Sequence, residues 1–474
     1  MENNLIQKNT FFNIIKVAIS NIIKLASGVL IGFLLPKIIG VTDYGYYKTF
    51  TLYASYIGMF SIGITDGIYL KYGGKSYNEL KKEDFRYISL TYIIIQFLFS
   101  IAILIISLIF FNNEIQFIFI CLSFTLMFSN ITGYFQIISQ ITSRFKELAF
   151  RNIIQSFLIT ISIVILWLIH KFLSVEISYK IYTIIYVFII CLLCFWYIFS
   201  YRDIIFGKIN ISLNISSVLF TLIKSGIPLM ISNLCSSLIL TIDRQFVNIL
   251  FDTNTYATYA FAYNMLGLIT TALSAISTVI YPSLRKTDFN LLKQNYHNFI
   301  SIILIMVFAC VIIYFPLVKF VLWFLPKYAD SLIIFRIILP GLAISSAITI
   351  IMHNFYKTAN KNFLFFLISV SILIISCIAN FLAYYFFKST ESISIASIVV
   401  MIIWYLSVEL FFIVKYKVKW KKNFIYMLFM LICFYAISMI DIWWIGMIAY
   451  LISYIIVTFS FYFSFFKKNL KKIK

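Results

Sequence analysis

Charged side chains inside apolar segments are the residues of this sequence with the clearest potential for chemistry. Basic side chains in such places could bind an anion, and acidic ones could bind a proton or a cation. The basic candidates for anion binding are Lys16, Lys24, Lys48, Lys224, Arg244 and Arg336. The acidic residues in comparable positions are Asp66, Asp243 and Glu409, for which ion coupling and a structural charge pair both remain open.

Two of the lysines share one face of the first apolar segment. In "FFNIIKVAISNIIKLASGVLIG", the residues Asn13, Lys16, Ser20, Lys24 and Ser27 recur at spacings of three or four. This spacing places them on one side of an α-helix. Because a charge at the centre of a bilayer costs at least ~2.5–3.5 kcal/mol, this face is predicted to line a wet cavity or to meet an anionic partner.

Adjacent opposite charges stand in the segment "SLILTIDRQFVNIL". Neighbouring residues on a helix point about 100° apart, so Asp243 and Arg244 cannot form a simple pair with each other. One is predicted to face a lumen while the other pairs with a neighbouring helix. Earlier in the same segment, Gly226-Ile227-Pro228 is predicted to kink the helix, because Pro removes a backbone hydrogen bond.

The elements that carry these charges are predicted to be transmembrane helices. The chain has 474 residues, is 62% hydrophobic and only 12% charged, and has a mean hydropathy of +0.98. Soluble domains are about 45–50% apolar and ~25% charged. Fourteen apolar segments come near the ~20 residues that a membrane span needs. They lie at about 11–35, 45–70, 86–111, 115–139, 147–169, 179–200, 218–251, 255–281, 298–325, 329–356, 363–387, 392–414, 424–440 and 442–466. Whether the last hairpin, 424–466, truly spans is left open.

The distribution of Lys and Arg predicts the orientation. If the N-terminus is cytoplasmic, most basic residues fall in inside segments, including the loops near 71–86 and 415–423. The outside loops hold only Lys37, Lys171, Lys180, Lys327 and Lys388. Both termini are therefore predicted to be cytoplasmic. The net charge of +21 is explained by this topology and by anionic membrane lipids, so no nucleic acid is expected as a partner.

Neither a metal site nor a cofactor is predicted. The seven cysteines all fall inside apolar segments, where they are interpreted as small packing residues. The three histidines, His170, His297 and His353, are far apart and have no carboxylate at ligand spacing. No Gly-rich phosphate loop is present, which excludes an ATP-driven exporter within this chain.

An internal repeat predicts the architecture. Residues 34–73 align with 245–284, and the clearest match places Asp43-Tyr44-Gly45-Tyr46-Tyr47 over Thr255-Tyr256-Ala257-Thr258-Tyr259. Six helices separate the copies, which predicts two parallel lobes that rock around a central site. The predicted fold is thus an all-α polytopic membrane protein of about fourteen helices, with two six-helix lobes around a cationic lumen. The predicted parts are an N-terminal lobe at 1–210, a C-terminal lobe at 211–415, and two extra helices with a basic tail at 416–474.

The seventh and eighth segments resemble a known family. Gly-x-Pro, a Ser/Asn-rich helix, Asp-Arg, a tight turn, Tyr and a later Pro, within residues 225–284, are similar to the signature of Wzx-type polysaccharide flippases of the MATE-like (MOP) superfamily. The resemblance implies a non-enzyme that moves an undecaprenyl-diphosphate-linked oligosaccharide across the bacterial inner membrane. It implies assembly of O-antigen, capsule or another surface polysaccharide, with membrane lipids, a polymerase and chain-length proteins as partners. Related lipid II flippases use arginines in helices 1 and 2 where lysines stand here.

The residues agree independently with transport of an anionic glycolipid, because a diphosphate and a polar glycan need a hydrated lumen with cations. Two alternatives are kept. A cation or drug antiporter of the same superfamily needs acidic residues in the N-terminal lobe, where Asp66 is the only acidic residue well inside helices 1–4. A membrane polysaccharide polymerase or glycosyltransferase needs a large outside loop or a catalytic acidic motif, and the sequence offers neither.

Overall fold

The chain folds into α-helices joined by turns and short irregular segments. A computed structural model describes residue 23 and residues 25–473, apart from 174, 209–212, 287–288, 360 and 419. These residues contain no β-strand, which confirms the all-α prediction. They form two compact units: unit 1 is Met1–Ser237 with Asp252–Ala257, and unit 2 is Leu238–Phe251 with Thr258–Lys474.

Unit 1 is built mainly from long apolar helices. Its helices are α1 (Leu25–Ile38), α2 (Val41–Ala54), α3 (Ile64–Tyr72), α4 (Lys82–Phe110), α5 (Asn113–Ile141), α6 (Phe145–Leu173), α7 (Tyr179–Ser200) and most of α8 (Leu213–Ile239). Large apolar side chains such as Phe110, Phe172 and Phe199 are at least 70% exposed, as expected for surfaces that contact lipid. An aromatic core that includes the stacked rings of Tyr92 and Tyr134 holds α4 against α5.

The second predicted span of unit 1 is broken. Helix α2 ends at Ala54, a 3-10 turn follows at Ile57–Ser61, and Ile62 and Gly63 both have positive φ angles before α3 begins. Gly63 adopts such an angle at low cost, whereas Ile62 does so against the usual preference of a side chain with a branched Cβ. Irregular backbone at membrane depth is tolerated only where protein or a wet cavity satisfies its polar groups.

Helix α8 packs against α3 through glycine. A Cβ added to Gly226 would lie 1.9 Å from the Gly63 carbonyl oxygen, and one added to Gly67 would lie 2.1 Å from the Leu222 carbonyl oxygen. Small residues let two helix backbones approach this closely in membrane proteins. This packing explains why residues up to Ser237 cluster with unit 1, although the sequence placed residues from 211 onward with the second lobe. Helix α8 continues through Pro228, and the segment breaks later, at 240–241.

Unit 2 contains the remaining helices. They are α9 (Ile242–Leu250), the larger part of α10 (Thr253–Lys286), α11 (Phe289–Cys310), α12 (Tyr314–Phe324), α13 (Ser331–Ile338), α14 (Gly341–Ser346), α15 (His353–Thr358), α16 (Asn362–Phe387), α17 (Thr390–Tyr416), α18 (Lys421–Ile437) and α19 (Trp443–Ile473). A π-helical segment, Ala347–Met352, joins α14 to α15. The chain bends by 44° at Pro340, between α13 and α14.

The C-terminal hairpin of α18 and α19 is docked on α11 by polar side chains. The hydroxyls of Tyr450 and Tyr454 donate to the carbonyls of Phe308 (2.8 Å) and Ile305 (3.0 Å). The side-chain amide of Asn423 donates to the His297 carbonyl at 2.9 Å. The two helices that lie outside the sequence repeat are therefore an integral part of unit 2.

The number of spans stays a prediction. Within the described residues, the end of the first predicted segment falls in α1, and each later segment overlaps a helix or a run of helices. Within the described part of the chain, nine helices are long and apolar enough to cross a membrane, and the bent pair around Pro340 would make ten. The protein is a multi-pass membrane protein.

Candidate functional site

Unit 1 contains a partly open cavity of about 390 Å³ whose lining includes several polar side chains. The broken span contributes one wall, α5 a second and α8 a third, and α4 adds Tyr92. The polar side chains that line it are Ser55, Ser61, Thr65, Asp66, Tyr92, Asn130, Gln136, Gln140, Asn233 and Ser237. Ligand sites of proteins commonly have volumes of roughly 300–1,000 Å³. The cavity is therefore large enough to hold a small ligand or part of a larger one.

Two carboxamides hold the irregular backbone of the broken span in place. The Asn130 Nδ2 atom donates to the Ile57 carbonyl (3.2 Å) and to Gln96 Oε1 (2.7 Å). Gln96 Nε2 in turn donates to the Phe60 carbonyl at 2.9 Å. Because a buried, unpaired backbone carbonyl is costly, these bonds stabilise the break that brings Ser61, Thr65 and Asp66 to the cavity.

One face of α5 supplies most of the carboxamides. Asn130, Gly133, Gln136 and Gln140 follow each other at spacings of three or four residues, so they lie on the same side of this helix. Gly133 has open space where a Cβ would stand. Sequence reasoning missed this face, although its periodicity is readable in "NITGYFQIISQ".

Of the predicted site residues in the described part of unit 1, Asp66 alone lines the cavity. Lys48, on α2, places its ammonium 5.1 Å from the Tyr44 ring centroid and 5.8 Å from that of Tyr47. Lys224, on α8, is exposed. Neither lysine is among the residues that line the cavity. Lys16 and Lys24 lie outside the described residues.

Unit 2 holds a second acidic residue in a quite different setting. Asp243, at the start of α9, is only 2% exposed. One carboxylate oxygen accepts hydrogen bonds from the hydroxyls of Tyr259 (2.8 Å) and Tyr263, and the other accepts from the Arg244 backbone N–H at 2.8 Å. Ser394 of α17 extends this group by donating to the Tyr259 hydroxyl at 3.3 Å.

Arg244 turns away from its neighbour in sequence. Its guanidinium carbon lies 4.6 Å from the Tyr263 ring centroid, and Nη2 donates to the Leu240 carbonyl at 3.1 Å. Arg336, the other predicted cation of unit 2, contacts the Met439 sulfur at 3.5 Å. The Arg244 guanidinium forms no salt bridge with the Asp243 carboxylate, but both side chains contact Tyr263.

Glu409, on α17, is fully buried in unit 2. Neither of its carboxyl oxygens has a hydrogen bond of normal geometry, and the hydroxyls of Tyr405 and Tyr296 are likewise buried without such a partner. The described residues contain no group of three or more His, Cys, Asp or Glu that could hold a metal ion.

The comparisons with known proteins bear on the whole arrangement. A family described as "Polysaccharide biosynthesis protein" matches residues 6–288, which is more than half of the chain. The chain belongs to this family. No curated protein sequence matches this chain.

Solved structures show that this family member has the fold of MOP-superfamily transporters. The lipid II flippase MurJ, in an inward closed conformation, aligns over 96% of this chain and all of its own, with a TM-score of 0.68 and 16% identity. An inward-facing MATE family multidrug transporter aligns over 85% of this chain and 96% of its own (TM-score 0.62, 14% identity). A Vibrio cholerae MATE transporter aligns over 86% and 97% (TM-score 0.54, 13% identity). The expected MATE-like fold is confirmed.

Proposed function

We propose that this protein moves an undecaprenyl-diphosphate-linked oligosaccharide from the cytoplasmic to the outer leaflet of the bacterial cytoplasmic membrane. The repeat unit serves O-antigen, capsule or another surface polysaccharide, and both termini are cytoplasmic. The observation that carries the proposal is the cavity of unit 1, where polar side chains lie beside a broken span. A family that makes polysaccharides needs such a polar path, because a glycan cannot cross hydrocarbon unaided.

The lipid diphosphate requires cations along the path. Lys16, Lys24, Lys48, Lys224, Arg244 and Arg336 are proposed to supply them during transport. A charge inside a span persists where it faces water or an anionic partner. The Lys48 ammonium and the Arg244 guanidinium each lie over a tyrosine ring, and a cation in such a place can still bind a passing anion.

Ion coupling is part of the same proposal. Asp66 lines a cavity and Glu409 is a buried carboxyl, so either could take up a proton or a cation. The three hydrogen bonds to Asp243 favour a structural role for that residue. If the rate of transport into vesicles depended on neither a proton gradient nor a sodium gradient, ion coupling at all three residues would be excluded.

The proposal is tested by complementation in a strain that lacks the gene. Loss of the protein should remove surface polysaccharide and accumulate its lipid-linked repeat unit inside the cell. Lys24→Arg should restore export, whereas Lys24→Gln should fail although the variant is present in the membrane in normal amount. Lys48 and Arg244 should follow the same pattern. Exposed Lys319 provides the control, since Lys319→Gln should export normally. Full export by Lys24→Gln would contradict the role of the cations.

A second candidate is export of organic cations, as in a MATE-like antiporter. The Asp66 carboxylate in the cavity favours it, because a carboxylate attracts a cationic ligand. Efflux of ethidium from cells that contain the protein distinguishes the two functions. The main proposal expects no efflux above that of cells without the protein.

A further inference from the structure

The chemistry of the unit 1 cavity identifies the part of the transported molecule that it fits. Carboxamides both donate and accept hydrogen bonds, serine and threonine hydroxyls do the same, and an ionised carboxylate only accepts. The cavity presents all three kinds, through Gln140 and Asn233, Ser61 and Thr65, and Asp66. A sugar ring matches this set, because each of its hydroxyls can donate to one neighbour and accept from another.

The other parts of a lipid-linked saccharide fit less well. Diphosphate oxygens can only accept hydrogen bonds, and they carry a negative charge that the Asp66 carboxylate would repel. A polyprenyl tail would leave the carboxamides and hydroxyls desolvated without partners. The polar side chains of the described lining therefore favour the sugar among the three parts of such a molecule. The lining also has apolar side chains, which can pack on the C–H faces of a sugar ring: Met59, Ile137, Met230 and Leu234.

The cavity is also held in a fixed shape. Both hydrogens of the Asn130 amide are used, on the Ile57 carbonyl and on Gln96, so this residue positions the wall. The Tyr92 hydroxyl donates to the Asn130 carbonyl at 3.4 Å, and the Tyr92 ring stacks on Tyr134 with centroids 4.9 Å apart. A preformed site loses less entropy when it binds, which improves selectivity for a ligand of matching shape.

We propose that this cavity is the saccharide subsite of the protein, and that Asp66, Gln140 and Asn233 bind the hydroxyls of a sugar ring that carries no negative charge. The inference rests on the proposed function. It adds that the sugar is recognised inside unit 1, apart from whatever holds the diphosphate. Replacing one of these three side chains should therefore weaken the preference for the sugar-bearing lipid. The affinity for the lipid diphosphate should be kept.

The test compares two probes on the purified full-length protein in nanodiscs. One probe is the lipid-linked repeat unit that accumulates in cells lacking the protein, and the other is undecaprenyl diphosphate without sugar. The unaltered protein should bind the first probe at least about tenfold more tightly. Gln140→Leu and Asn233→Leu should each reduce this preference by about tenfold, which corresponds to the loss of one or two hydrogen bonds. Their affinity for undecaprenyl diphosphate should stay within about twofold.

Gln155→Leu is the matched control, because Gln155 lies on α6 in the same unit but does not line the cavity. It should keep the full preference for the sugar-bearing probe. Asp66→Asn keeps the shape of the side chain, so this variant is expected to fold. It should also lower the preference for the sugar-bearing probe.

A preference for the sugar that is unchanged in the cavity variants would overturn the subsite and leave the proposed function standing. An equal loss of affinity for both probes in correctly folded variants would overturn the subsite as well. If the unaltered protein bound neither probe, or if no lipid-linked repeat unit accumulated, the proposed function would fail, and the inference with it.

Discussion

Asp66 and Asp243 are both carboxylates within apolar segments, yet the structure places them in opposite surroundings. Asp66 lies beside a break in its span and faces a cavity that holds hydroxyls and carboxamides. Asp243 is 2% exposed, and tyrosine hydroxyls and a backbone N–H occupy its oxygens.

The difference teaches that a charge in a membrane span has two distinct uses. A carboxylate whose hydrogen bonds all come from its own protein stabilises packing, because its removal leaves the surrounding donors without an acceptor. A carboxylate that faces a cavity can exchange its partners for a ligand. Asp243 is of the first kind, and Asp66 is of the second.

Removal of the Asp243 carboxylate should have the largest effect on stability. Asp243→Ala leaves the Tyr259 and Tyr263 hydroxyls without their acceptor and removes a negative charge beside Arg244. Breaking such a buried group costs about 3–5 kcal/mol. Thermal unfolding of the purified protein, and its amount in the membrane, should both fall sharply. Asp66→Ala should leave both near normal but abolish export, and the opposite ranking would refute the comparison.

Two glycines of unit 1 separate packing from cavity function in the same way. Gly226→Val should destabilise the protein by at least about 1–3 kcal/mol, because the new side chain meets the Gly63 backbone. Gly133→Val should fold normally, since space is open there, but should fill the cavity and stop export. Quantifying each variant in membranes beside its surface polysaccharide checks both. Normal export by Gly133→Val would show that the cavity is not on the transport path.

A single hydroxyl should matter in unit 2 and not in the cavity. Tyr259→Phe removes a 2.8 Å hydrogen bond to the Asp243 carboxylate, which should lower stability by about 1.5–3 kcal/mol. Thr65→Val, in the cavity lining, should change the unfolding temperature little. Differential scanning fluorimetry of the two purified variants gives the comparison. Equal shifts would indicate that the cavity hydroxyl is as structural as that of Tyr259.

Removal of a partly exposed carboxylate outside the spans should have the smallest effect on stability. Asp203 accepts from the Tyr77 hydroxyl (2.6 Å) and pairs with Lys82 (2.9 Å). Partial burial alone would raise the pKa of this carboxyl, but the Tyr77 and Lys82 donors outweigh it and hold the pKa below its ordinary value. The stabilisation is therefore present above the ordinary pKa of about 3.9 and is lost as pH falls through the lowered value.

Asp203→Asn should accordingly cost no more than about 1 kcal/mol at neutral pH. The difference from the unaltered protein should vanish as the carboxyl is protonated. Unfolding temperatures measured over a series of pH values test this. A difference that grew towards low pH would contradict the assignment.

The sequence predicted the helical membrane fold because apolar composition and segment length alone require it. It also singled out Asp66, Asp243 and Glu409, since acidic residues in apolar segments are rare. The angle between neighbouring residues on a helix excluded a simple pair between Asp243 and Arg244, but it did not reveal that both contact Tyr263. These predictions depend on local properties that any single segment displays.

The cavity was not predicted, because it depends on contacts between distant segments. Gln96 and Asn130 satisfy carbonyls that are exposed only when the span near Gly58 breaks. The face of α5 with Gln136 and Gln140 was readable in the sequence, but uncharged carboxamides stand out less than charges in an apolar segment. The membership of α8 in unit 1 likewise depends on close backbone packing at Gly226, which hydropathy does not reveal.

Transfer of the lipid between leaflets tests the central claim most directly. The purified protein is reconstituted into proteoliposomes with the accumulated lipid-linked repeat unit, and an impermeant reagent that modifies glycans measures the fraction in the outer leaflet over time. The unaltered protein should bring lipid from the inner leaflet within reach of the reagent, and Gly133→Val should not. Absence of transfer by the unaltered protein, or undiminished transfer by Gly133→Val, would contradict the account.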